Sequence, residues 1–294
     1  MTERQRVFHV AFAGNQVRIR CDSMRAADAV GFLFGEHLSS APCETVRCEV
    51  GIAVDPADGR IVLFCDGRAV ARLHDDELEI ALVQLVQFHL VSHETCAGLF
   101  HGAALVRGGQ GVLFAAAAGS GKTTLTASLL GGSYGFLTDE LAALDGHGRI
   151  EGFARPLNIK AGSLDLLRRC DWLESALGLA RLSGGVTLMP WPCVGSAGIR
   201  LASIVLPQWC ADAPFEVEAL SPGRAAAALM SCLLNARNLS KNGLVLATRL
   251  VRERPVHRVR YSRVVDVASW LDTQPPRGGN TLVGGPELRN NPRP

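Results

Sequence analysis

The sequence predicts an α/β protein in which a small β-rich (α+β) N-terminal domain precedes a larger domain of alternating strands and helices. Three observations carry that expectation. Residues 6–72 alternate apolar and polar side chains between short turn signals, the pattern of half-buried strands. Residues 112–124 read VLFAAAAGSGKTT, an apolar run that breaks into a Gly-rich turn and then into helix-like text. Beyond that point strand-like and helix-like stretches follow one another, which favours an α/β layer arrangement. The expected boundaries are 1–97 for the N-terminal domain with its linking helix and 98–272 for the second domain. Residues 273–294 are too poor in apolar side chains to order themselves, so a disordered tail is expected there.

Taken in order, VFHVAFAGNQVRIRC (residues 7–21) alternates around Gly14-Asn15. Two further strand-like stretches, residues 44–55 and 59–73, are punctuated by Asp55-Pro56 and Asp66-Gly67. This reads as a small sheet built from hairpins, with a short helix near residues 25–38. Residues 76–93 set Ile80, Leu82, Val83, Leu85, Val86 and Leu90 at helical spacing behind an acidic first turn, as in an amphipathic linking helix. The second domain opens with paired strands, LFHGAALVRGG and GVLFAAA, followed by the Gly-rich turn and a helix over residues 122–130. Strands are expected around residues 135–144 and helices over residues 163–177 and 223–237. Residues 183–198, rich in Gly and Pro and without periodicity, read as a long loop over or beside a site.

The Gly-rich turn has the chemistry of a phosphate-binding loop. Gly119 and Gly121 let consecutive N–H groups curl round phosphate oxygens, and the following helix points its positive end at them. Lys122 can reach the β- and γ-phosphates, and the Thr123 hydroxyl can ligate Mg²⁺. The candidate nucleotide contacts are therefore Ala116, Ala117, Ala118, Gly119, Ser120, Gly121, Lys122, Thr123 and Thr124. Ala116 departs from G-x-x-x-x-G-K-[ST], which has Gly at that position. The bland alternative is a strand-to-helix corner with a chance lysine.

Composition excludes other classes. A net charge of +2 and 6% aromatic residues give no polyanion-binding surface, so nucleic acid is not expected as a partner. The nine cysteines are scattered singly, without C-x-x-C pairs or His at ligand spacing, and read as reduced packed thiols rather than a zinc site. No signal-peptide core or membrane-length apolar run is present, so a cytoplasmic protein with no membrane partner is expected.

An acidic pair, Asp139-Glu140, ends the apolar run YGFLT seventeen residues after Lys122, which is early for the acidic strand of most motor or transporter ATPases. LSGGV at residues 182–186 shares four letters with an ABC-type signature, but its loop context marks it as coincidence. Phosphoryl transfer needs a phosphate cradle, a metal and a carboxylate placed to receive a hydroxyl proton. Asp139 suits the carboxylate role, and Glu140 can help position Mg²⁺. The plain reading of the pair is a solvated strand end. His101 lies in LFHGAALV, where a lone strand histidine is ordinarily a satisfied core residue. Residues 248–266 hold six arginines, with Val259 and Tyr261 alternating against Arg258 and Arg260, and read as an edge strand with a solvated charged face.

The order His101-Gly102, Gly111-Val112-Leu113, GSGKTT at residues 119–124 and Asp139-Glu140 resembles the C-terminal catalytic domain of the HPr kinase/phosphorylase family and its HPr-kinase-related proteins. The resemblance spans roughly residues 100–144 and, more loosely, the chain to about residue 271. It implies a P-loop kinase fold of the HPr kinase/phosphoenolpyruvate carboxykinase-like type. It also implies Asp139 as catalytic carboxylate, His101 as active-site histidine, Lys122 and Thr123 on phosphate and metal, and Glu140 as the second acidic position, so that the metal set is Thr123, Asp139 and Glu140. Where the bifunctional enzymes carry a Glu-x-Arg-Gly-x-Gly-Ile signature, this chain has FARPLNIKAG at residues 153–162. That points away from phosphorylase activity and toward the divergent related group, some of which look like serine kinases for peptide precursors. Lys160 and Arg155 could offer positive charge to the phosphoryl group, but each reads more simply as a basic residue on an exposed turn.

The expected function is an ATP-dependent kinase that transfers the γ-phosphoryl group to a hydroxyl, serine of a peptide or protein acceptor, with ATP and Mg²⁺ as cofactors. Rivals are a non-catalytic nucleotide-binding scaffold or sensor and an NTP hydrolase. Relatives of the family are often oligomeric, so the resemblance allows a homo-oligomer, although the sequence carries no heptad signal.

Overall fold

A computed structural model describes residues 5–40, 46–117, 119–130, 132–168, 170, 172–195 and 198–274. The chain begins with β1 (Arg6–Phe12), β2 (Asn15–Cys21), α1 (Met24–Phe34), β3 (Val46–Val54), β4 (Ile61–Cys65), β5 (Arg68–Leu73) and α2 (Leu78–His93). The strands form one sheet in the order β1-β2-β3-β4-β5. The expected hairpins hold at β1-β2 and through β3-β4-β5, but β2 and β3 pair in parallel. A parallel pair needs a crossover, and α1 supplies it. The first turn sits one residue earlier than the text indicates, at Ala13-Gly14, both with positive φ (48° and 77°).

Ser23 caps α1 by accepting a hydrogen bond from the Ala26 amide at 3.1 Å. The helix buries Val30, Leu33 and Phe34, while α2 buries Leu78, Leu82, Val83, Val86 and Leu90 against the same core. The linking helix is thus part of the N-terminal core, and α1 and α2 are tied by Arg25, which donates to Glu79 Oε1 at 2.7 Å. Leu99, Leu141, Ala143, Phe153 and Leu188 join that core, so apolar packing is continuous into the second half of the chain.

The second half opens with β6 (Gly98–Arg107), β7 (Gln110–Ala115) and α3 (Lys122–Leu130), followed by β8 (Gly135–Thr138), β9 (Leu141–Leu144), β10 (Ile150–Gly152) and β11 (Leu157–Ile159). Next come α4 (Ala161–Leu167), α5 (Leu173–Leu177), β12 (Arg181–Ser183), β13 (Val186–Met189), β14 (Arg200–Trp209) and β15 (Glu216–Ala219). The last elements are α6 (Pro222–Met230), α7 (Leu244–Glu253), β16 (Val256–Tyr261) and α8 (Val264–Thr273). The large sheet runs β10-β9-β6-β7-β14-β16-β15, with β8 also on β6, and β11-β13-β12 form a small separate sheet. The β7-β14 and β14-β16 pairs are parallel, and the molecule is mixed α/β.

Four expectations change. Residues 163–177 hold two short helices instead of one, because in a continuous helix the buried Leu167 and Leu173 would point about 120° apart. Residues 183–198 are not wholly loop: β12 and β13 form a hairpin whose two-residue turn, Gly184-Gly185, takes positive φ at both positions (53° and 77°), as a tight hairpin turn requires. The 223–237 helix ends at Met230, because Asn235 is drawn into the interior, where it accepts from the Leu99 amide at 2.8 Å and donates to the Glu94 and Ala97 carbonyls at 3.0 and 2.8 Å. β16 is not an edge strand either. It lies between β14 and β15, with Val259 and Tyr261 buried and its charged face paired, Arg258 to Glu218 at 3.1 Å and Arg260 to Glu216 at 3.8 Å. Of the expected tail, Thr273 ends α8, and residues 275–294 lie outside the described residues. Among the described residues no helix is long and apolar enough to cross a membrane.

Candidate functional site

The strand β7 is buried from Gly111 to Ala115 and delivers the chain to the Gly-rich loop at the sheet's end, from which α3 departs at Lys122. The Leu125 amide bonds the Gly121 carbonyl at 2.9 Å and closes the first helical turn. Gly121 has φ +85°, and a methyl group there would lie 3.1 Å from both Trp209 Cβ and Tyr261 Oη. Trp209 ends β14 and Tyr261 ends β16, so the two neighbouring parallel strands wall the loop in. Ala116 keeps a negative φ, and its methyl carries no backbone strain where the motif has glycine.

The Lys122 ammonium donates to the Ala116 and Ala117 carbonyls at 2.7 and 2.9 Å. Three N–H donors on two carbonyls leave one further donor for an anion. Burial lowers the lysine pKa, opposed by Glu140, Cys232 and Asp139. Thr124 turns toward α4, where its hydroxyl donates to Ser163 Oγ at 2.9 Å. Ala118 lies outside the described residues.

The acidic pair occupies the tight connection between β8 and β9. Thr138 shapes it: its hydroxyl donates to the Phe153 carbonyl at 2.9 Å and accepts from the Glu140 and Leu141 amides, both at 3.2 Å. This turns Asp139 inward, 1% exposed, while Glu140 keeps a side chain 40% exposed. The solvated-strand-end reading therefore fails for Asp139. Both of its carboxylate oxygens are buried, with the backbone amides of Asn158 and of Asp139 itself as their polar neighbours favouring the ionised form. Burial raises its pKa, opposed chiefly by Arg155.

Arg155 bridges the pair. Its side chain is 5% exposed, with Nη2 at 3.1 Å from Glu140 Oε2 and 3.9 Å from Asp139 Oδ1. The exposed-turn reading of Arg155 is thus corrected, whereas Lys160 is exposed at the start of α4. A signal existed in the sequence: FARPL sets an arginine inside an apolar run, and a buried guanidinium requires an acidic partner. His101 projects from β6, its amide bonded to the Cys232 carbonyl at 2.8 Å and its Nε2 3.5 Å from Glu140 Oε1. Burial, then the Lys122 charge, lowers the His101 pKa, so the ring is neutral at physiological pH and meets Glu140 as a polar contact instead of an ion pair.

His101, Lys122, Asp139 and Glu140 therefore converge from three segments, and Arg155 completes the cluster from a fourth. A buried acid, a buried lysine beside a loop of backbone amides and a neutral imidazole can together bind an anion and accept a proton close to it. Compared with known protein families and with curated protein sequences, the chain finds no match.

Proposed function

We propose that the protein is an ATP-dependent kinase that transfers the γ-phosphoryl group to a hydroxyl, serine of a peptide or protein. On this reading the second half of the chain is a P-loop kinase domain of the HPr kinase-like type working in the cytoplasm. The observation that carries the proposal is the buried Asp139 carboxylate, clustered with Lys122, Glu140 and Arg155 beside the Gly-rich loop. A carboxylate whose pKa is raised by burial, beside a lysine and a second acid, is the kind of perturbed group that clusters at functional sites.

In the proposed step the acceptor oxygen attacks the γ-phosphorus, the bond to the bridging β–γ oxygen breaks and ADP leaves. The acceptor proton passes to Asp139, whose raised pKa brings it closer to the working range of a general base. Lys122 and the loop amides hold the phosphates. His101, neutral, orients Glu140 or a phosphate oxygen. The oxygen donors fit Mg²⁺, since a hydroxyl and two carboxylates are the hard ligands it takes. Thr123, Asp139 and Glu140 would hold the ion, which neutralises charge on the phosphoryl group when bound.

Transfer of labelled γ-phosphate from ATP to host peptides and proteins, with wild type and Asp139→Asn side by side, tests this. Serine labelling lost in the variant is the expected result. One observation favours a second reading, a nucleotide-binding scaffold: Arg155 already stands against the acidic pair, at the place a metal ion would take. Tight ATP binding without labelling would select the scaffold, and phosphate release without an acceptor would select a hydrolase.

A further inference from the structure

The cysteines look isolated along the chain, but the fold gathers two of them with a histidine on one face of the N-terminal sheet. Cys48 lies in β3, Cys65 ends β4, and His89 sits on α2, which packs across that sheet. Cys48 Sγ is 3.0 Å from Cys65 Sγ, and Cys65 Sγ is 3.3 Å from His89 Nε2. All three donor atoms lie within 4.8 Å of one another. Cys48 is buried, whereas Cys65 and His89 are half-buried and reachable from solvent.

We propose that Cys48, Cys65 and His89 form a binding site for a thiophilic divalent cation of the zinc class. Bond lengths of about 2.3 Å to sulfur and about 2.0 Å to nitrogen require ligand atoms no more than about 4.6 Å apart, which this cluster approaches or meets. Two thiolates on a tetrahedral ion sit about 3.8 Å apart, so the sulfurs separate slightly on binding. A disulfide would demand a closure of similar size, to about 2.05 Å, but it makes no use of the imidazole beside Cys65. The His89 contact favours the metal. Asp66 stands next to Cys65 with Oδ2 3.9 Å from its sulfur, and its Oδ1 is anchored by the Glu49 amide at 2.9 Å. Asp66 or water fills the fourth position. Both thiols release their protons to solvent on binding, and the ion ties α2 to two strands it otherwise meets through side-chain packing. Spacing along the chain, which argues against zinc, misses the site because its ligands come from three elements.

The test uses the full chain, stripped with a chelator under a non-thiol reductant and titrated with Co²⁺, whose thiolate charge-transfer absorption reports sulfur ligation. The expected result is one Co²⁺ per chain with that absorption, bleached by Zn²⁺, lost in Cys48→Ser and Cys65→Ser and reduced in His89→Gln. Zn²⁺ should also raise the melting temperature of wild type but not of His89→Gln, a variant that keeps both thiols. If a serine variant fails to fold, protection of Cys65 from alkylation by Zn²⁺ in wild type replaces it. Absence of the absorption in folded wild type, its persistence in His89→Gln and Cys48→Ser, or no alkylation protection overturns the proposal. So does recovery of a Cys48–Cys65 disulfide from protein that, once reduced, takes up no metal.

Discussion

Arg155 Nη2 lies 3.1 Å from Glu140 Oε2, a buried cation holding the exposed member of an acidic pair whose other member, Asp139, is buried at 3.9 Å from the same nitrogen. One guanidinium thereby serves two carboxylates of different solvation. Removing it takes away the guanidinium that faces the buried Asp139 and leaves only the Lys122 charge nearby, and breaking a buried pair ordinarily costs a few kcal/mol. Arg155→Ala should lower unfolding free energy by about 2–4 kcal/mol in urea titration, toward the lower figure because Glu140 can rehydrate. Arg155→Lys should recover only part of the loss, since an ammonium cannot reproduce the planar fork. An unchanged urea midpoint in Arg155→Ala would show that the bridge contributes nothing.

Asp139 carries the opposite sign. Its folded pKa is raised above the unfolded value, so between the two the native state holds more protons and stability falls as pH rises through that window. Asparagine has no charge to bury. Asp139→Asn should therefore be as stable as wild type at acid pH and more stable at neutral pH, while losing phosphotransfer. Stability gained together with activity lost marks a residue kept for chemistry. Paired unfolding curves across pH, run beside the labelling assay, check both halves, and equal stability at neutral pH would contradict the burial argument.

The loop was legible because its determinants are local. Strand, turn, Lys122 and helix follow within twenty residues, and α3 spans the residues the text predicts. His101, Lys122 and the acidic pair, separate along the chain, lie close together in the fold. What was not legible depends on partners distant in sequence. Arg155 looks like a turn residue until Asp139 and Glu140 are found beside it, and Asn235 ends a helix because backbone near residue 97 needs its amide. The arginine face of β16 suggests an edge until the acidic β15 is seen to cover it. The Gly184-Gly185 hairpin, by contrast, was readable from its dipeptide.

Gly121 gives a sharper test of the loop. Its φ of +85° disfavours any side chain, and a methyl would press on Trp209 and Tyr261. Gly121→Ala should cost about 1–2 kcal/mol of strain locally. Because the loop is the candidate phosphate cradle, ATP affinity measured calorimetrically should fall about tenfold or more, the equivalent of one lost charge-assisted contact. Gly119→Ala, also at positive φ (+83°) but with nothing within 4 Å, should strain the loop without displacing those walls. Equal ATP affinity in wild type and Gly121→Ala would disconnect the loop from nucleotide binding.

His37 provides an acid-sensitive contact in the N-terminal core. Its ring stacks on Phe153 at 4.6 Å and meets Phe12 edge-on at 5.7 Å. Burial lowers its pKa to about 4, against the Ala11 and Ala154 carbonyls, which favour the protonated ring. The unfolded value is about 6.5, so between pH 6.5 and 4 the unfolded chain binds a proton that the native ring refuses. Stability is then fully present above pH 6.5 and falls on acidification through that window, by about 2–3 kcal/mol for this residue. His37→Phe keeps an aromatic ring in the stack and removes the titration. His89 and His101, also lowered by burial, add to the slope equally in both proteins, so the difference between the two curves isolates His37. Thermal unfolding at pH 7 and at pH 5 should show a markedly smaller acid loss in His37→Phe, and parallel curves would place the proton elsewhere.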